Sequence, residues 1–173
     1  VLTHVDERGR ARMVDVGSKP VTVREAVARA EVTMAPSTLR LITEGRARKG
    51  DVLAVAQVAA IQAAKRTWEW IPLCHPIPLE GVSVDLVPDA RQSCVRIETR
   101  VRSRSRTGVE MEALVAAAAA GLTVYDMLKA VERGMTIERL RLVRKSGGAS
   151  GTYVRDDDRP AARPRARRRA GAP

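Results

Sequence analysis

Phenylalanine is absent from this 173-residue chain, and its aromatic side chains are two Trp and two Tyr. A core must therefore be assembled from Ala, Val, Leu, Ile and Met. A nucleic-acid-binding sheet that stacks bases on Phe or Tyr would lack its usual means. Cysteine is scarce as well: Cys74 and Cys94 make neither a disulfide framework nor a zinc set. The cytoplasm, where thiols stay reduced, is the expected compartment. No run of 18 apolar residues is present, so no membrane span is expected, and the start Val1–Asp6 has no basic-then-apolar signal pattern. Even so, 45% of the residues are apolar, too many for wholesale disorder, and the length fits one domain with a small appendage.

Positive charge is abundant but uneven. The formal net charge is +11. Residues 155–173, RDDDRPAARPRARRRAGAP, hold seven Arg against three Asp and offer nothing for a core, so they read as a basic, disordered tail. The body, 1–154, keeps a surplus of seven, which favours an anionic partner carrying phosphate. Lysine is the scarce cation: 26 of the 31 basic residues are Arg, and the five lysines are Lys19, Lys49, Lys65, Lys129 and Lys145. Arg suffices for bare charge, whereas only Lys readily loses its proton near neutral pH when desolvated.

Along the chain, residues 1–20 form an arm with little periodicity. Thr22 and Glu25 fit a capping box, predicting a short helix to about Ala30. A short strand is expected over 31–34, a helix from Ser37 to Glu44 ended by Gly45, and another over 51–67 capped by Asp51, with Leu53, Val55, Val58 and Ile61 among its apolar positions. Three prolines between Pro72 and Pro78 forbid regular structure there. Alternation at Val82, Val84 and Leu86, and at Val95, Ile97, Thr99 and Val101, predicts two antiparallel strands joined by a turn at Pro88–Ala90. A long helix follows over 110–132, then a strand over 136–144 and a glycine-serine loop over 145–151. The order strand, helix, helix, strand, strand, helix, strand matches an α+β fold with a ferredoxin-like antiparallel sheet and helices packed on one face.

Several residues are chemically suggestive. Asp126 and Lys129 are three apart on the long helix, so both point to one side. Close to an apolar face, desolvation would draw both pKa values toward neutrality while their mutual attraction opposes this. Such a pair suits acid–base work; the plain alternative is a surface pair worth a few tenths of a kcal/mol. Glu110 and Glu112 flank Met111 at a helix start, where the dipole favours carboxylates; they could also bind a purine-like edge. His75 stands in the stiff loop beside Cys74, either presenting a donor to a ligand or capping local backbone. Lys145 leads a loop of small residues whose N–H groups can cradle phosphate, although the P-loop pattern is absent. Lys19, Arg24, Lys49, Lys65, Arg66 and Arg106 add cations that together could neutralise a triphosphate. Nothing in these patterns specifies a metal site.

The segments KGDVLAVAQVAAIQAAKRTWEWIPLCHPIPL, RTGVEMEAL, LTVYDMLKAVERGM and LRLVRKSGGASG resemble the MoaC family of molybdenum-cofactor biosynthesis. The opening LTHVDERGRARMVDVGSKPVTVREA is similar too. The likeness covers about 2–153, making 1–154 a single catalytic domain. It implies a lyase that rearranges a 3′,8-cyclised dihydro-GTP into cyclic pyranopterin monophosphate with release of pyrophosphate. By that resemblance Asp126, Lys129 and Lys49 are catalytic. Leu73, Cys74, His75, Glu110, Met111 and Glu112 bind the substrate, and Lys19, Arg24, Lys65, Lys145 and Arg106 serve its phosphates. No redox cofactor is required, and Mg2+ can accompany the triphosphate. The resemblance further implies a homohexamer, a trimer of dimers, with active sites at a subunit interface and neither a membrane nor a specific nucleic acid as partner. Ala149 departs from the family's common KSGGKSG by replacing its second lysine; Arg144 is a candidate substitute. An inactive paralogue would be one reading of that change, and a basic nucleic-acid-binding module on the same sheet is the alternative from another functional class.

Overall fold

The computed structural model describes residues 8–156; the tail expected over 155–173 lies outside the described residues from 157 on. The elements are β1 (Thr22–Thr33), α1 (Pro36–Thr43), α2 (Val52–Lys65), α3 (Thr67–Trp70), β2 (Gly81–Asp89), β3 (Cys94–Ser105), α4 (Glu110–Leu128), β4 (Thr136–Ser146) and β5 (Tyr153–Val154). They build one antiparallel sheet in the order β2-β3-β1-β4-β5. The helices cover one face, as the α+β, ferredoxin-like expectation requires.

The helix expected over 22–30 is instead most of β1. The capping box is not used: Thr22 Oγ1 has no hydrogen-bond partner, and the Glu25 carboxylate lies 3.3 Å from Arg100 and 3.6 Å from Arg144. Both backbone edges of this segment are paired, one to β3 and one to β4. Ala26, Ala28, Ala30 and Val32 are buried with period two, and tertiary pairing here overrides the local helix preference of alanine. The turn expected at Pro88–Ala90 also moves. β2 runs on to Asp89, because β2 is an edge strand where the missing proline N–H is tolerated. The reversal follows, with Asp89 Oδ1 accepting from the N–H groups of Arg91 at 2.8 Å and Gln92 at 3.2 Å.

Alanine also sets the helix layer. In α2 the buried positions are Val52, Ala56, Ala60, Ala63 and Ala64; of the apolar positions named above, Leu53 and Ile61 pack against the core while Val55 and Val58 are exposed. Asp51 caps α2 as expected, accepting from Ala54 N–H at 3.0 Å. The long helix ends at Leu128, earlier than position 132. It is long and apolar enough to cross a bilayer, but most of it is buried against the sheet and α2, as a core helix must be. Ala113, Ala116, Ala117, Ala120 and Val124 meet the alanines of β1 in one cluster. Gly121 marks a close approach to the sheet: a Cβ there would lie 2.9 Å from Ile137 Cγ2. The largest fully buried side chains are Ile97 and Leu128, so the core dispenses with aromatics by bringing helix and sheet close together.

Candidate functional site

The LCH loop, the start of α4 and the arm converge on one cavity. It has a volume of about 410 Å³, and Lys19, Leu73, Cys74, His75, Glu110, Met111 and Glu112 line it. The proline-stiffened loop brings Leu73, Cys74 and His75, and the first turn of α4 brings Glu110, Met111 and Glu112. The arm contributes Val14 and Val16 besides Lys19. His75 explains how the arm is held: its Nε2 lies 2.8 Å from Val14 O. A carbonyl oxygen only accepts, so Nε2 carries the proton and donates, leaving Nδ1 for a ligand. The backbone that His75 binds is thus not local but that of the arm, 61 residues away, and the ring also lines the cavity.

Glu112 is only 4% exposed. Burial lifts its pKa to about 7 against the pull of a hydrogen bond to its own backbone N–H, and the charge of Glu110 pushes the same way as burial. Burial, followed by the charge of Glu112, raises the Cys74 thiol, which is the wrong direction for a nucleophilic thiolate.

A second cavity, of about 590 Å³, adjoins the first and shares Lys19, Thr107, Gly108 and Glu110 with it. Arg24, Arg106 and the loop Gly148–Ser150 complete it. The loop can lie here only because it is glycine. Gly147 and Gly148 have φ of +94° and +74°, and a Cβ on Gly148 would run into the Arg24 guanidinium. Arg24 Nη2 donates to Arg106 O at 3.4 Å, while its buried Nε has no partner. An unpaired buried guanidinium N–H beside lysine and arginine is a ready donor for phosphate oxygen. Lys145 bonds Ser150 Oγ and so buttresses this loop. Arg144 does not fill the place of a lysine at 149, because it turns to Glu25 on the uncovered face of the sheet. Lys65, in the last turn of α2, lines neither cavity.

Lys49, Asp126 and Lys129 form a separate cluster. Lys49 Nζ donates to Asp126 Oδ2 at 2.8 Å and to Asp126 O at 2.9 Å, and Lys129 Nζ lies 2.6 Å from Asp126 Oδ1. The side chains are about half exposed, so attraction outweighs desolvation. Hydrogen bonds from Lys129 and then Lys49 pull Asp126 down to about 2, and Asp126 raises Lys129. In the isolated chain the two pKa values move apart, not toward neutrality. Asp126 also lines a groove with Trp70, Leu122 and Ala119 on the outer side of the helices.

This cluster sits at the C-terminal end of α4, and Glu112 at its start. Fourteen residues at 1.5 Å each place them about 21 Å apart. One chain therefore brings together the ring- and phosphate-binding candidates, and separately the acid–base candidates, but not the two sets. Sequence reasoning missed Val14, Val16, Thr107 and Gly108, small or apolar residues that carry no chemical signal of their own. Among the described residues, no group of three or more His, Cys, Asp or Glu is arranged to hold a metal. On the uncovered sheet face a further cavity has several of its charges paired, as in Arg29–Glu98 at 2.7 Å and Arg139–Glu31 at 3.5 Å.

Comparison with known proteins agrees in extent with the segments quoted above. The model of the MoaC family matches residues 13–148. A protein of Thermomicrobium roseum named cyclic pyranopterin monophosphate synthase is 65% identical over 157 residues, covering 91% of this chain and 95% of the relative. Proteins of the same name from Pelotomaculum thermopropionicum and Roseiflexus sp. are each 59% identical, covering 89% and 90% of this chain and 91% and 98% of the relatives.

Proposed function

The chain belongs to the MoaC family, and on that premise we propose that it is a pyrophosphate-releasing lyase. It converts a 3′,8-cyclised dihydro-GTP to cyclic pyranopterin monophosphate, in molybdenum-cofactor biosynthesis. The observation that carries this reading is the pair of adjoining cavities. One is edged by two glutamates and a histidine, as a nitrogen-rich ring demands, and the other by Lys19, Arg24 and Arg106, as a triphosphate demands. Arg24 Nε supplies a buried donor with no protein partner. Magnesium, where present, enters with the triphosphate as part of the substrate. The chemistry calls for no redox cofactor, and a cytoplasmic setting suits two free thiols.

The reaction needs proton transfers at several stages. Opening the purine-derived ring by water requires a base for the water and an acid for the departing nitrogen. In the last stage a substrate hydroxyl attacks the α-phosphorus, the bond to the β-phosphate breaks, and pyrophosphate leaves with its electron pair. Lys49, Asp126 and Lys129 are the acid–base group. Asp126 holds the Lys129 ammonium charged, and substrate that shields the cluster from water shifts the balance toward proton transfer.

The active site is composite. The cluster lies about 21 Å along α4 from Glu112, so a second copy supplies it to the cavities of the first. Trp70 and Leu122, each 51% exposed, line the groove that holds Asp126, an apolar surface suited to such a neighbour. A homohexamer built as a trimer of dimers accommodates this arrangement. The nucleic-acid alternative is not favoured: β2 and β3 carry no aromatic residue, and Arg29 and Arg100 on the open face are paired with Glu98 and Glu25. Incubation with the cyclised dihydro-GTP tests the reading. Equal amounts of pterin and pyrophosphate are expected; a folded protein that forms neither would refute it.

A further inference from the structure

We propose that Glu112 engages the ligand as a neutral carboxylic acid, donating its proton to an acceptor on the ring edge, while Glu110 beside it remains a carboxylate that accepts from ring N–H groups. The inference rests on the reading that the cavity holds a guanine-derived ring, and deepens it by assigning a proton to one of two neighbouring acids. Geometry carries it. Glu112 is almost wholly buried, and among the described residues no ion pair involves it. It lines the same cavity as Glu110, whose carboxylate folds back over Gly108 so closely that a Cβ there would meet Oε2. With Glu112 buried and Glu110 half-buried beside it, two anions facing an uncharged ring would both lose water, and the cavity offers one lysine, Lys19, to offset them. Dividing the roles resolves this. A neutral acid and a carboxylate present one donor and one acceptor, matching a ring amide, whose carbonyl accepts and whose N–H donates. Burial, lifting Glu112 to about 7, works in the same direction. A guanine-type edge has this order of groups; an edge that offers only donors, or only acceptors, does not.

The groups facing Glu112 that could confuse a pH measurement are few. They are Glu110 on α4, Cys74 and His75 on the proline loop, and Lys19 on the arm. The test is GTP binding by calorimetry from pH 6 to pH 8.5 on the full chain and on Glu112→Gln, whose amide keeps the donor without titrating. Comparing the two proteins cancels the titration of the phosphates. Wild-type affinity is expected to fall about tenfold more per pH unit above neutrality than that of Glu112→Gln, with uptake of a proton at pH 8. Glu110→Gln should weaken binding throughout and leave the wild-type slope. Parallel slopes in wild type and Glu112→Gln would overturn the assignment and hand the titration to one of the other groups. Failure of every protein to bind GTP would instead overturn the substrate reading, and this inference with it. Should Glu112→Gln not fold, the infrared difference between GTP-bound and free wild type at pH 8 decides. A gained protonated-carboxyl band supports the proposal, and a lost or unchanged one refutes it.

Discussion

Asp126 is the residue on which the chemical reading turns. Its carboxylate accepts from both Lys49 and Lys129, and its pKa is held near 2. Because that value is depressed, the ion pairs are intact above the ordinary carboxylate range and are lost only as pH falls through about 2. Asp126→Asn keeps the shape and removes the charge, so it should lower turnover by at least about a hundredfold, the usual scale of acid–base catalysis, without changing the unfolding temperature greatly, since exposed ion pairs add little stability. Lys129→Arg keeps the charge but fixes the proton, and should lose rate far more than affinity. Steady-state rates and GTP binding on both variants check this; near-normal turnover in Asp126→Asn would remove it from the mechanism. The spacing of Asp126 and Lys129 was legible as one helical face. Lys49 is 77 residues away from Asp126, so no local pattern links them, and only likeness to a family pointed there.

Among the elements, alanine accounts for both the successes and the errors of sequence reading. Strands β2 and β3 announce themselves by alternating Val, Ile and Leu with polar residues. Strand β1 alternates too, but with alanine at Ala26, Ala28 and Ala30, a residue whose own preference is helical. Its pairing on both sides decides the matter, and pairing is a property of distant residues. In α2 the apolar positions include exposed Val55 and Val58, whereas the buried stripe is mostly alanine. These small residues let α4 lie close to the sheet, and Gly121 is the extreme case. Gly121→Val should destabilise the protein by about 1–3 kcal/mol, because overpacking forces either Ile137 or the helix to move. Denaturant unfolding measures this; an unchanged midpoint would mean that the helix–sheet contact yields without cost.

At the scale of the whole molecule, the positive surplus acquires a location. Lys19, Arg24 and Arg106 surround one cavity, while Arg29, Arg96, Arg100 and Arg144 are spent on carboxylates of the sheet's open face or its bordering turn. The absence of phenylalanine is explained by close-packed alanine layers. What the sequence pattern could not convey is that the two sets of candidate residues, proposed as halves of one composite site, lie at opposite ends of a single helix. That separation is the central claim, and mixed assemblies test it most directly. Asp126→Asn and Glu110→Gln, each expected to be inactive alone, are co-expressed with different tags and purified as mixed oligomers. If each site joins the cavity of one copy to the cluster of its neighbour, random pairing leaves roughly a quarter of the sites with both halves intact, and that fraction of wild-type turnover of the cyclised dihydro-GTP should return. Mixed oligomers no more active than either variant alone would contradict the composite site.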